Sequence, residues 1–463
     1  MSTPAWNKAA SSPWRAELRA TVALALPLIG TQLAQISTMT TDVVLLGRHS
    51  AEALAAGALG ANVVYVLITF TLGIVMAVSP MIAQAVGRKR HAVRDVRRSV
   101  RQGFWATVAV GVPCMIVIWH TESILLAFGQ EPANAASAAD YARAMLLGFL
   151  PAVGFMLLRF FVSALERPRA ALVVMVLSVL LNALLAWALI FGRFGLPPLG
   201  VVGAGIATSI ANTFGFVALL AFVLIDHRFR RFYILGRLWR PDWRRFAEIF
   251  RIGLPIGLIL VLEVGLFAGA VQLMGLLGTA EIAAHQIALQ CASVAFMVPL
   301  GIGQAATVRV GLAAGARDAA GVTRAGWTAL ALGVSFMSCT ALLMWTMPHV
   351  LVGLFVQDVP ENARVIELAV AFLAIAALFQ VVDGVQAIAI GALRGLKDTR
   401  MPAIFAAIGY WLVGFPVGIV LAFHAGWGGI GVWWGLAIGL AVVAALELTR
   451  FARREMLNLV PRG

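Results

Sequence analysis

The sequence predicts an all-α polytopic membrane protein: twelve transmembrane helices in two six-helix lobes related by a pseudo-two-fold axis along the membrane normal. Three observations carry this expectation. Apolar residues are in excess and fall in long runs, basic and non-basic loops alternate between those runs, and one internal repeat holds its register along the chain. Of 463 residues, 61% are hydrophobic and 12% charged, and the mean hydropathy is +0.92. A soluble domain carries about 25% charged and 45–50% apolar residues.

Apolar runs of about 20 residues place spans near 20–46, 53–79, 99–119, 138–163, 170–191, 200–225, 249–275, 282–307, 325–346, 364–391, 401–422 and 429–449. The net charge of +14 forms no single basic face of the kind nucleic acid needs. It sits in loop clusters such as "GRKRHAVRDVRRSVR" (87–101), "ERPR" (166–169), "DHRFRRFYILGRLWRPDWRRFAEIFR" (226–251), "RGLKDTR" (394–400) and "RFARR" (450–454). The intervening loops 121–140 and 355–362 are poor in Lys and Arg. The positive-inside rule puts the basic side and both termini in the cytoplasm. The segments are then a cytoplasmic N-terminal stretch (1–19), an N-lobe (20–225), a basic interlobe loop (226–248), a C-lobe (249–449) and a tail (450–458). In the loop, Asp242 caps an interfacial helix. "LVPRG" (459–463) reads as a protease-site remnant of a tag. No cleavable signal peptide opens the chain, and Cys114, Cys291 and Cys339 have no ligand-like spacing.

The repeat has an offset of 228 residues, set by Leu26-Pro27 and Leu254-Pro255. In the same register Gly73-Ile74 match Gly301-Ile302, Gly87 matches Gly315, and Gly200 and Gly203 match Gly428 and Gly431. Six spans per repeat give both lobes the same orientation, the arrangement of parallel-repeat transporters with a central cavity.

Polar residues inside the spans are few. "LPIGLILVLEVGLFAG" (254–269) carries Glu263 at its centre, where a charge costs about 2.5–3.5 kcal/mol on insertion scales. Helical rise puts Glu263 roughly 16 Å and Asp383 roughly 15 Å from the basic side, so both acids share one depth. Asp42, Asn182 and Thr208 share another in the first lobe. The repeat pairs Glu263 with Gln35, Asp383 with Phe155 and Asp42 with Ala270, so the scaffold itself requires none of the acids. Two carboxyls at one depth resist joint ionisation unless a cation shares the site. Arg159 and Glu447, near span ends, are expected to snorkel to the interface, and His285 to be packed and hydrogen-bonded. With no converging Cys/His or Ser/His/Asp set, the chain is not expected to be an enzyme.

The stretches "LPLIGTQLAQISTMTTDVVLLGR" (26–48), "LEVGLF" (262–267), "AAHQIALQ" (283–290), "FMVPLGIGQA" (296–305) and "VVDGVQAIAIGALRGLKDTR" (381–400) resemble the multidrug and toxic compound extrusion (MATE) transporters, in the bacterial NorM-type branch. The resemblance implies efflux of organic cations and aromatic drugs across the bacterial inner membrane, by rocking alternating access, against inward Na+ or H+. It implies no other cofactor, and the expected form is a monomer in the bilayer. It implies a coupling-ion site at Glu263 and Asp383, where Na+ would bind. It further implies a first-lobe acid at Asp42 with Asn182 and Thr208 around it, and cavity positions at Gln35, Gln286, Phe296 and Phe379. Two departures from the family pattern, Ala186 and Phe296, remove polar groups near these sites. The alternative is a lipid-linked oligosaccharide flippase of the same superfamily, disfavoured by an expected lack of deep basic residues.

Overall fold

The computed structural model describes residues 12–460, apart from Phe194, Leu196 and Asp358. The first eleven residues of the N-terminal stretch and the last three of the tag remnant lie outside the described residues. Twelve helices are long and apolar enough to cross a membrane. They are α1 (Pro13–His49), α2 (Glu52–Gly87), α3 (Ala92–Trp119), α4 (Pro132–Ala164), α5 (Arg169–Phe191), α6 (Gly200–Ile225), α7 (Trp243–Leu277), α8 (Thr279–Gly315), α9 (Ala319–Thr346), α10 (Ala363–Gly395), α11 (Arg400–His424) and α12 (Gly429–Ala452). Each expected span falls inside one of them. Several run further, mostly at the basic end, because charged residues extend a helix beyond its apolar window without breaking it.

Local chemistry sets the ends. Ser50 turns the chain between α1 and α2 and accepts a hydrogen bond from the Ala53 N–H at 3.0 Å. Asp318 caps α9 through the Gly321 N–H at 2.7 Å. These side chains satisfy helix N–H groups that have no partner within the helix. In α11, two π-helical stretches, Ala407–Gly414 and Val420–His424, widen the coil where Gly409, Gly414 and Gly418 lie directly on the backbone of α12.

The first helix of each lobe also packs across the seam. Leu24, Ala25 and Leu28 of α1 are buried with Ile302, Ala305 and Val308 of α8. Their counterparts at the repeat offset, Ile252 and Ile256 of α7, are buried with Ile74, Val75 and Val78 of α2. The closest approaches obey the same symmetry. A Cβ on Gly73 would overlap the Gly257 backbone, and one on Gly301 would overlap the Ile29 backbone. At the basic end, a Cβ on Gly87 would overlap the Leu312 carbonyl, and one on Gly315 the Gln84 carbonyl. Every residue in these pairs maps onto its opposite number at the repeat offset, so the pseudo-two-fold axis runs between α2 and α8. Polar contacts cross the same seam. Gln84 Nε2 donates to the Gly395 carbonyl at 2.9 Å. Arg309 of α8 pairs with Glu17 of α1 at 2.6 Å and with Glu166 at 2.5 Å.

The interlobe loop is docked, and its expected interfacial helix takes another form. Asp242 does cap a helix, accepting from the Arg245 N–H at 3.3 Å, but that helix is the first turn of α7 and continues into the span. Before it, only His227–Arg230 is helical. Phe229, Phe232 and Ile234 are buried in the N-lobe core. Arg97 Nε and Trp105 Nε1 of α3 donate to the Phe232 and Leu238 carbonyls, both at 2.8 Å.

Two outcomes are expected. Gly87→Val and Gly315→Val each push a side chain into a carbonyl. Overpacking of about 1–3 kcal/mol should shift the lobes away from this arrangement roughly 5- to 150-fold. A cysteine at the seam residue Ser79 should then react faster with a soluble maleimide; unchanged labelling would mean that the glycines do not hold the closure. The second outcome concerns pH. Although burial opposes it, the Arg98 and Arg245 contacts hold the Asp242 carboxyl below the usual carboxylate range. A depressed folded-state value gives stabilisation that is complete above the unfolded value and lost as pH falls through the folded one. Protection of loop amides from hydrogen exchange should therefore be level from neutral pH down to the usual carboxylate range and fall only below it. In Asp242→Asn it should be reduced throughout.

Candidate functional site

Two polar groups lie inside the helical bundle, one per lobe. In the N-lobe, Asp42 near the C-terminal end of α1 is 8% exposed. Asn182 Nδ2 of α5 donates to Asp42 Oδ1 at 2.9 Å. Thr208 Oγ1 of α6 lies 3.0 Å from Asp42 Oδ2 and 3.3 Å from Asn182 Oδ1. The hydroxyl has one proton to give, so Asp42 competes for it with Asn182 and with the Ala204 carbonyl at 3.1 Å. The three residues placed at one depth by helical rise are thus in direct contact. Tyr141 of α4, not singled out from the sequence, is buried beside them and feels the Asp42 charge.

In the C-lobe, Glu263 of α7 is partly exposed, and Asp383 of α10 is buried. Asp383 interacts electrostatically with Glu263, and its Oδ1 has no hydrogen-bond partner among the described residues. Three further buried groups belong to the same electrostatic cluster. They are Arg394 at the basic end of α10, Tyr410 in the π-helical stretch of α11, and Glu447 of α12. The cluster therefore holds three acids against one guanidinium. Tyr65 of α2 reaches it from the opposite lobe and feels the Glu263 charge. Among the described residues, no three of His, Cys, Asp and Glu converge where they could share a metal ion. Two acidic oxygens with spare lone pairs suit one monovalent cation or a shared proton.

Several expectations need correction. Glu447 does not snorkel: it is fully buried, and neither carboxyl oxygen has a hydrogen-bond partner among the described residues. Arg159 is 2% exposed and donates to Gln32 Oε1 at 2.7 Å. Both side chains face other helices, and residue count from a span end says nothing about that. Arg159 and Arg394, both buried, correct the expected lack of deep basic residues. His285 is packed as expected, 5.4 Å from the Trp433 ring, but neither ring nitrogen is hydrogen-bonded. Phe379 is 2% exposed and packed against Phe267 and Trp433 in the C-lobe core, so it does not line a cavity. Gln35 and Phe296 are partly exposed and Gln286 exposed. Tyr410 and Tyr65 were missed because a tyrosine in an apolar run gives no signal until its neighbours are known.

Two like-oriented six-helix lobes, each with an acid embedded among its helices, define a polytopic membrane transporter of the parallel-repeat kind. The sequence model of the MatE family matches twice, over residues 27–188 and 255–420, and the two matches begin one repeat offset apart. The chain belongs to the MatE family. It is similar to the probable multidrug resistance protein NorM of Mesorhizobium japonicum, with 52% identity over 97% of this chain and 96% of that one. Its similarity to the protein of the same description from Brucella suis is 49% over 95% and 94%. Among solved structures, it resembles an outward-facing multidrug resistance MATE family transporter of the MOP superfamily, with a TM-score of 0.87 and 19% identity over 96% and 97% of the two chains. It also resembles the eukaryotic MATE transporter AtDTX14, with a TM-score of 0.84 and 21% identity over 96% and 99%. At these identities, the structures establish the fold.

The N-lobe contacts make a direct expectation. Asn182→Ala leaves Asp42 Oδ1 without its donor and should cost about 1–3 kcal/mol, read as a lower unfolding midpoint in detergent. In an Asp42→Asn background, the same change should cost clearly less. Equal costs in the two backgrounds would separate the residues energetically.

Proposed function

We propose that this chain is a multidrug efflux antiporter of the bacterial inner membrane, with the basic side and both termini cytoplasmic. It exports organic cations and aromatic drugs in exchange for inward Na+ or H+. The observation that carries the reading is the Glu263/Asp383 pair, embedded in a cluster whose acids outnumber its one guanidinium. Such a pair needs a cation or a proton to be stable in a low-dielectric interior. An inward-moving cation is also driven by the membrane potential, at about 2.3 kcal/mol per charge per 100 mV. A cationic drug competes with it, and the coupling is reciprocal: each weakens the binding of the other by the same factor. Asp42 is a second, proton-responsive group in the other lobe. Its hydrogen-bond donors favour the ionised form, and closure of the lobe around it favours the neutral one.

The symmetric seam supports rocking. Glycine crossings close the basic end in this conformation, and opening there requires separation of α2 from α8, with α2 leaving α7 and α1 leaving α8. The flippase alternative needs cavity arginines for a pyrophosphate. Arg159 is engaged by Gln32, and Arg394 sits among acids, so neither basic group is free for an anionic substrate.

The test is ethidium efflux from a drug-sensitive host, with Na+ and pH gradients imposed separately, for wild type, Glu263→Gln, Asp383→Asn and Asp42→Asn. Na+-driven efflux abolished by the first two substitutions is the expected result. Proton-driven efflux with Asp42→Asn as the severest lesion would move the coupling to the N-lobe, and no efflux under either gradient would end the antiporter reading.

A further inference from the structure

A cavity of about 130 Å³ opens at the basic end of the seam, away from both acid groups. Its walls are Val86 at the end of α2, Leu165, Glu166 and Arg167 after α4, Arg228, Phe229, Arg231 and Phe232 in the interlobe loop, and Leu312 of α8. Two basic stretches far apart in sequence, "ERPR" and "DHRFRRF", thus line one hollow.

The hollow is built rather than incidental. Phe229 and Phe232 are 2% exposed, and each lies 5.7 Å from the Phe161 ring, anchoring the loop to the N-lobe core. The Arg231 guanidinium lies 5.0 Å above the Phe232 ring. Glu166, which could neutralise the hollow, is drawn to Arg309 at 2.5 Å. Arg167, Arg228 and Arg231 are exposed, and among the described residues none of the three forms an ion pair. Three unpaired guanidiniums around a small cavity with an apolar floor match an anionic phosphate carrying an apolar body.

We propose that this cavity binds the phosphate of an anionic lipid headgroup from the leaflet on the basic side. The assignment rests on the membrane orientation proposed above, and not on the coupling site. A lipid fits better than a soluble anion because the hollow lies at the level where basic residues meet the bilayer surface, and because its apolar floor can seat the glycerol. Leu312 closes the cavity from the second lobe, so an occupant favours the conformation in which the lobes meet at this end.

Native mass spectrometry of the purified full chain, titrated with phosphatidic acid or phosphatidylcholine, tests this. Wild type should retain phosphatidic acid in clear preference to phosphatidylcholine. Each arginine lost should weaken retention about fivefold, the equivalent of about 1 kcal/mol per basic group. The triple variant Arg167→Gln/Arg228→Gln/Arg231→Gln should therefore lose at least tenfold, while the corresponding Lys variants keep most of the preference. A control, Arg90→Gln/Arg94→Gln/Arg317→Gln, removes equal charge from the same face and should bind as wild type does. Equal losses in both triples would mean diffuse attraction and overturn the site, as would a wild type without preference. Inorganic phosphate should not displace the lipid; full displacement would overturn the lipid assignment. Binding is read without transport, so failure of the antiporter reading would leave this result interpretable.

Discussion

Helix backbones approach most closely where a glycine on one of them leaves out a side chain, and four such crossings line the seam between the lobes. Gly73 against Gly257, Gly301 against Ile29, Gly87 against the Leu312 carbonyl and Gly315 against the Gln84 carbonyl bring α2 and α8 together and set α1 and α7 against the opposite lobe. Between apolar helices in lipid, such close packing replaces the hydrophobic drive available in water. A contact made of glycine and carbonyl is also easy to separate, since no interdigitated side chains must be withdrawn. The ionic contacts of Arg309 with Glu17 and Glu166 add direction at the basic end. The closure is therefore tight in geometry and shallow in relief, which suits a surface that must open and close repeatedly.

On this symmetric frame the chemistry is asymmetric. At the repeat offset, Asp42 faces Ala270, Glu263 faces Gln35, Asp383 faces Phe155 and Glu447 faces Leu219. Packing demands are shared between the halves, and the acids are not, so each acid reflects what one lobe does and not how the fold is held. Each oxygen of the N-lobe acid has a hydrogen-bonding neighbour, Asn182 or Thr208, on two other helices. The C-lobe acids are under-satisfied, with Asp383 Oδ1 and both Glu447 oxygens lacking partners. A satisfied acid is fixed in place, whereas an unsatisfied one is left to a mobile partner. This contrast is the physical basis for assigning the exchanging cation to the C-lobe.

The fold was legible because its determinants are local or periodic. Span lengths follow from hydrocarbon thickness, lobe orientation from an even span count, and the axis from a repeat without gaps that reappears in the glycine contacts. The N-lobe site was also legible, since depth along a helix is a matter of counting and Asp42, Asn182 and Thr208 sit near one level. What counting cannot supply is azimuth. Arg159 and Glu447 are near span ends by number but face other helices, and Phe379 was assigned to a cavity although it faces the lobe core. The docked interlobe loop was unreadable for a related reason: its phenylalanines look interfacial until Phe161 is known to stand beside them.

Burial of Arg394 beside acids changes how the C-lobe can work. Three carboxyls and one guanidinium in a low-dielectric interior cannot all remain charged and uncompensated. In the proposed exchange, a cation between Glu263 and Asp383 leaves Arg394 to Glu447, the largest of its charged partners. Once the cation departs, Glu263 is drawn to the same guanidinium, which already feels its charge. A tethered positive group at the basic end therefore holds a graded claim on the acids. In the proposed antiport, such a group would stabilise the cation-free pair and lower the cost of releasing the cation toward the basic side. Because α10 carries both Asp383 and Arg394 and also accepts the Gln84 contact across the seam, one helix links the charge state of the cluster to the closure of the lobes.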